Sequence, residues 1–120
     1  MEKIVEIGGQ KVPFKATAGT TRRYRAKFGR DMMKDMQDLT NEYLKSGTLS
    51  IEVLEIFENV AYIMAKQADD SITDDPDEWL DNFEIFSIYQ VLPEIQTLWN
   101  LQQMTLSESK KKLKELLKDQ

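Results

Sequence analysis

Six carboxylates lie within ten residues of this chain: Asp69, Asp70, Asp74, Asp75, Asp77 and Glu78. Acids this dense invite two kinds of chemistry. Paired acid–base catalysis needs two carboxyls across a cleft, one of them shifted by burial. These acids instead fall in a solvated run and at a helix start, so a charged face is the simpler reading. Calcium binding in an EF-hand loop needs a glycine at the sixth position and a bidentate acid at the twelfth. Counted from Asp69, those places hold Asp74 and Leu80; counted from Asp75, the sixth is again Leu80. The pattern fails both ways, and no metal or cofactor is expected.

Other catalytic residue types are scarce. Histidine and cysteine are both absent, which removes the commonest general base, imidazole triads, disulfides and thiolate metal sites. Gly8-Gly9 lacks the spacing and the following Lys of a phosphate loop, and reads as a hairpin turn. The composition therefore points to a protein that binds other proteins and makes or breaks no bond.

Charge is unevenly spread. The net value is −5, yet Lys15, Arg22, Arg23, Arg25, Lys27, Arg30 and Lys34 crowd the first third, and no Lys or Arg occurs from Gln67 to Ser109. Arg22 to Arg30, interleaved with Tyr24 and Phe28, could meet nucleic acid, but an acidic chain repels phosphate at long range, which weighs against it. Opposite patches could instead join copies head to tail, as a ring or a filament. They could equally pair within one subunit or stay solvated. Met32, Met33 and Met36 form a further cluster, suited either to core filling or to a surface that adapts to its partner.

The elements that must position these residues follow from patterning. Residues 2–15 read as a β-hairpin, with Val5 and Ile7 before the glycine turn and Val12 and Phe14 after it; Pro13 restricts the second strand to an edge. Thr20 or Thr21 can cap a helix running to Phe28, with Gly29 as its stop. Asp31 to Lys45 repeats Met32, Met36, Leu39 and Tyr43 at helical spacing. Ser50 can cap a helix to about Ala68 whose apolar face, Val53, Ile56, Phe57, Val60 and Met64 widened by Leu54, Ala61 and Ala65, suits a central position. Asp75-Pro76-Asp77-Glu78 is a strong helix start, after which Trp79, Leu80, Phe83 and Phe86 form an apolar face; Trp79, Phe83, Phe86 and Trp99 are expected in the core, and any of them left exposed becomes an interface anchor candidate. Ser87 can open another helix through Ile88, Val91, Leu92, Ile95, Leu98 and Trp99. Pro93 should kink it or mark its true first turn. Leu106 to Leu117 reads as a short amphipathic helix or a fraying tail.

The expected fold is therefore α+β and predominantly α-helical: an N-terminal β-hairpin followed by about five helices. One domain spans 1–105, and a C-terminal helix or tail spans 106–120. No stretch approaches the roughly 20 apolar residues that cross a bilayer, and the start lacks the apolar run of a signal peptide, so no membrane role is expected.

Several segments together carry a resemblance. They are the hairpin Val5-Glu6-Ile7-Gly8-Gly9 extended to Phe14; the run from Tyr24 to Met32 through Phe28-Gly29-Arg30; Glu58 to Lys66; Glu78-Trp79-Leu80-Asp81-Asn82-Phe83; and Ile88 to Ile95 leading to Leu98-Trp99. Over most of residues 4–100 the chain resembles the tail assembly chaperones of long-tailed phages and prophages of Gram-positive bacteria. The resemblance implies transient binding to the tape measure protein and the tail tube protein during assembly. It also implies self-association, residence in the bacterial host cytoplasm and absence from the mature virion. In many members a frameshift near the end of the reading frame appends a second domain, and Lys110-Lys111-Lys112 could be encoded by a slippery run. The contact residues expected for a partner or a second copy are Arg22, Arg23, Tyr24, Arg25, Phe28, Arg30, Met32, Met33, Met36, Asp74, Asp75 and Asp77. The competing reading is a small phage or bacterial regulator that holds nucleic acid through Arg22 to Arg30.

Overall fold

A computed structural model describes residues 2–46, 49–100 and 114–117. Its order is β1 (Glu2–Ile7), β2 (Gln10–Lys15), α1 (Ala18–Phe28), α2 (Met32–Ser46), α3 (Ile51–Ala68), α4 (Pro76–Leu80) and α5 (Ile85–Tyr89). A further helix, α6, covers 92–100, and 114–117 are also helical. The fold is α+β and predominantly helical, as expected.

β1 and β2 pair antiparallel, with Val5 opposite Val12 and Ile4 opposite Pro13. Gly8 and Gly9 close the hairpin with φ of 55° and 85°, the left-handed pair that a two-residue turn requires. Val5, Ile7, Val12 and Phe14 are buried on one face of the ribbon. The other face stacks the opposite-charge pairs Glu2–Lys15 and Glu6–Lys11 on either side of Ile4–Pro13, a favourable cross-strand arrangement.

The ribbon lies on α3, which also packs against α1, α2 and α4. Its central place follows from its sequence: Val53, Ile56, Phe57 and Val60 are buried, as is every residue from Ala61 to Ala65. Ser50 caps it with its hydroxyl. Against α3 also stand Trp79, whose ring meets Tyr62 edge-on at 5.9 Å, and Tyr89, 5.9 Å from Phe57.

Three expectations need correction. α1 begins at Ala18, one turn before a Thr20 or Thr21 cap would allow. Thr17 is the N-cap, and the Thr20 hydroxyl accepts the Thr17 backbone N–H at 2.8 Å in a capping box. The helix after Asp75 stops at Leu80, and α5 starts at Ile85 rather than Ser87. Phe86 is consequently 81% exposed instead of core, because the break turns it away from the face that carries Trp79. Pro93 lies in the first turn of α6, where its missing N–H has no helical partner to lose. Ile88, Val91, Leu92, Ile95, Leu98 and Trp99 are all buried, as their spacing predicts. Most of the expected C-terminal segment, including Lys110 to Lys112, lies outside the described residues.

Candidate interaction surface

The corner between α1 and α2 is built around one buried acid. Gly29 ends α1 at φ 67° and donates its N–H to the Arg25 carbonyl at 2.8 Å. That left-handed cap swings Arg30 back over α2. Arg30 grips Asp35 through two nitrogens, at 2.7 and 2.8 Å, and the Tyr24 hydroxyl donates to the same carboxylate at 2.7 Å. Asp35 is 2% exposed. The Arg30 hydrogen bonds are the main influence holding its carboxyl below the usual range, assisted by Tyr24 and opposed by burial. Burial, then the adjacent Asp35, pushes the Tyr24 phenol well above its ordinary value. The arrangement is a structural clamp: both Asp35 carboxylate oxygens and the Tyr24 hydroxyl are hydrogen-bonded within it.

This clamp decides the fate of several expected contact residues. Tyr24, Met32 and Met36 are buried, so they serve the core and offer nothing to a partner. They share the inward helical faces that cover α3. Phe28 is half-buried, its ring 5.1 Å from Tyr24. Arg30 is committed to Asp35, and Lys27 reaches the Asp74 carbonyl. Arg22, Arg23 and Arg25 remain exposed, with no ion pair among the described residues. Met33 is 44% exposed and shares a shallow cleft with Thr21, Arg25, Arg30 and Asp31.

The acidic loop is partly answered from within the chain. Lys66 lies 3.2 Å from the Asp74 carboxylate and donates to the Asp70 and Ile72 carbonyls. Asp75 caps α4 by accepting the Asp77 N–H at 3.0 Å. Asp77 is exposed in the first turn, where a negative charge opposes the helix dipole. Among the described residues no group of three or more acids is arranged to hold a metal ion. No described helix is long and apolar enough to cross a membrane.

The residues that most need a partner are ones the sequence pattern misassigned or passed over. Ile85 is 74% and Phe86 81% exposed, two consecutive large apolar side chains on the outer side of α5, while Ile88 and Tyr89 hold its inner side against the core. Asp81 and Glu84 are exposed beside them. The hairpin end adjoins this region: Gln10 donates to the Asn82 carbonyl at 3.1 Å, and Ile7, Gly8, Gln10, Asn82, Phe83, Glu84 and Ser87 line a cleft of about 220 Å³. A second apolar pair, Leu44 at 77% and Ile51 at 81%, stands at the ends of α2 and α3. Asp35 was legible in principle, because positions 32, 35, 36 and 39 share one helical face and an acid there must find a partner.

Comparison with family models, with curated proteins and with solved structures gives no match.

Proposed function

We propose that this chain is a phage tail assembly chaperone, which transiently binds the tape measure protein and tail tube subunits in the host cytoplasm and leaves before the virion matures. The reading rests on the segmental resemblance between residues 4 and 100. The observation that carries it is the exposed Ile85–Phe86 pair on an acidic face. An aromatic and a branched side chain left in water side by side form an anchor for another protein's apolar helix. The surrounding acids favour clients with basic flanks and speed their capture.

The regulator reading loses two of the five cations between Arg22 and Arg30. Arg30 is bound to Asp35 and Lys27 to the acidic loop, leaving Arg22, Arg23 and Arg25 on an otherwise acidic chain.

Co-expression tests the proposal. The tape measure and tube proteins encoded beside this gene should gain solubility and co-purify with the wild type, and Phe86→Ser should reduce that recovery several-fold. A gel shift on duplex DNA at physiological salt should show no complex. No rescue of any neighbouring tail protein, together with a specific DNA shift lost in Arg22→Ala/Arg25→Ala, would reverse the assignment.

A further inference from the structure

The hairpin tip and the turn between α4 and α5 enclose the cleft of about 220 Å³. Gln10 ties its two walls together by donating to the Asn82 carbonyl at 3.1 Å. The approach is close: a Cβ added at Gly8 would stand 3.3 Å from the Ser87 hydroxyl. The volume falls below the roughly 300–1,000 Å³ of small-molecule sites, and it suits one long side chain.

The cleft offers mainly oxygen. The Asn82 side-chain nitrogen is spent on the Glu78 and Trp79 carbonyls, at 3.4 and 3.0 Å, and the Gln10 nitrogen is engaged by Asn82. The amide oxygens of both residues, the Ser87 hydroxyl and the Glu84 carboxylate have no hydrogen-bond partner among the described residues. No lining side chain is basic, and Glu84 is exposed. Acceptors from three places in the chain, one of them charged, match a group that only donates. A guanidinium carries five donors in a flat fork and no acceptor. Phe83 also lines the cleft and gives its aliphatic stem an apolar wall.

The cleft adjoins the exposed patch, because Ile85 and Phe86 lie between Glu84 and Ser87. We propose that it receives an arginine side chain from the protein segment that docks on Ile85–Phe86. That arginine lies about one helical turn from the apolar residue covering Phe86, with its guanidinium on Glu84, Asn82 and Ser87. The preference for basic flanks thereby narrows to one arginine at one place. The proposal rests on reading Ile85–Phe86 as a client anchor and makes no demand on which protein the client is.

An NMR titration of the isotope-labelled full-length chain with N-acetyl-arginine amide tests the cleft. Shifts should saturate at Gly8, Gln10, Glu84 and Ser87 and stay small at Asp74 and Asp75 of the acidic loop. N-acetyl-citrulline amide, of the same shape but uncharged, should bind several-fold more weakly. Glu84→Gln should weaken arginine binding about three- to fivefold, the size of an exposed charge pair. The Glu84 carboxylate makes no cap hydrogen bond, and the amide spectrum checks that the variant is folded. The proposal is overturned by the lack of saturable shifts at the cleft, or by equal shifts at Asp74 and Asp75, which mean attraction by charge alone. Citrulline binding as tight as arginine, or unchanged affinity in Glu84→Gln, overturns it too. The probe is no tail protein, so failure here leaves the chaperone reading to its own co-expression test.

Discussion

Tyr24 donates its hydroxyl to Asp35 across the turn that joins α1 to α2, at 2.7 Å and out of contact with solvent. The two residues are eleven apart in sequence, and their bond with Arg30 fixes the angle at which both helices meet α3. Tyr24→Phe removes one donor from the carboxylate and should cost about 1–2 kcal/mol. Asp35→Ala strands the buried phenol and releases Arg30, and should cost more, about 2–4 kcal/mol. Urea unfolding measures both, and the double variant should lose less than the sum of the singles. Additive losses would show that the clamp is not a unit.

The same clamp sets an acid dependence. Arg30 is the main influence holding the folded Asp35 carboxyl below its ordinary range. As pH falls, the unfolded chain takes up this proton first. The stabilisation is therefore complete above the unfolded carboxylate value, near ~3.9, and disappears as pH drops through the lower folded value. Arg30→Gln should be less stable than wild type at neutral pH, and the gap should close in acid. Urea midpoints across that range test the sign; a gap that is constant with pH refutes it.

Gly29 offers a cleaner case of backbone strain. Nothing lies within 4 Å of where a Cβ would sit, and φ is 67°. Gly29→Ala should therefore cost about 1–2 kcal/mol from conformation alone, and Gly29→Asn should cost less, since Asn tolerates this region. Thermal or urea unfolding of the pair gives the ordering.

The cap of α1 joins local and distant structure. The Thr17 hydroxyl accepts the Gly19 N–H at 3.2 Å and the Gln67 side-chain amide at 2.6 Å. Thr17→Ala should lose about 1 kcal/mol for the cap, with a further loss for Gln67. If Thr17→Ala is fully as stable as wild type in urea, the cap contributes nothing.

Two phenylalanines should behave oppositely. Phe57 is fully buried, and Phe57→Ala should cost about 3–5 kcal/mol. Phe86→Ser should change stability by no more than about 0.5 kcal/mol while weakening protein binding. A large stability loss in Phe86→Ser would place that ring in the core after all.

Much of the architecture is local and could be read from the chain. Gly8-Gly9 dictates the hairpin turn, Gly29 stops α1, Ser50 starts α3, and Asp75-Pro76 starts α4, because each signal is a backbone preference carried by one or two adjacent residues. The breadth of apolar positions on α3 announces its central place. The candidate surface was harder. Tyr24, Met32 and Met36 look the same in sequence whether they face a partner or the core. Phe86 fits a helical stripe with Trp79 only if one helix runs through Asp81 to Glu84, and it does not.

Sequence by itself therefore determined the element types, the hairpin register, the inward faces of α3 and α6, and the lack of imidazole and thiol chemistry. Those follow from side-chain type, periodicity and capping, which act over a few residues. The folded arrangement alone decided that Asp35 would be buried beneath Arg30 and Tyr24, that Lys27 and Lys66 would answer the acidic loop, and that Ile85 and Phe86 would be left in water. Each of these depends on where the turns between helices and the packing on α3 carry particular side chains, which no short pattern specifies.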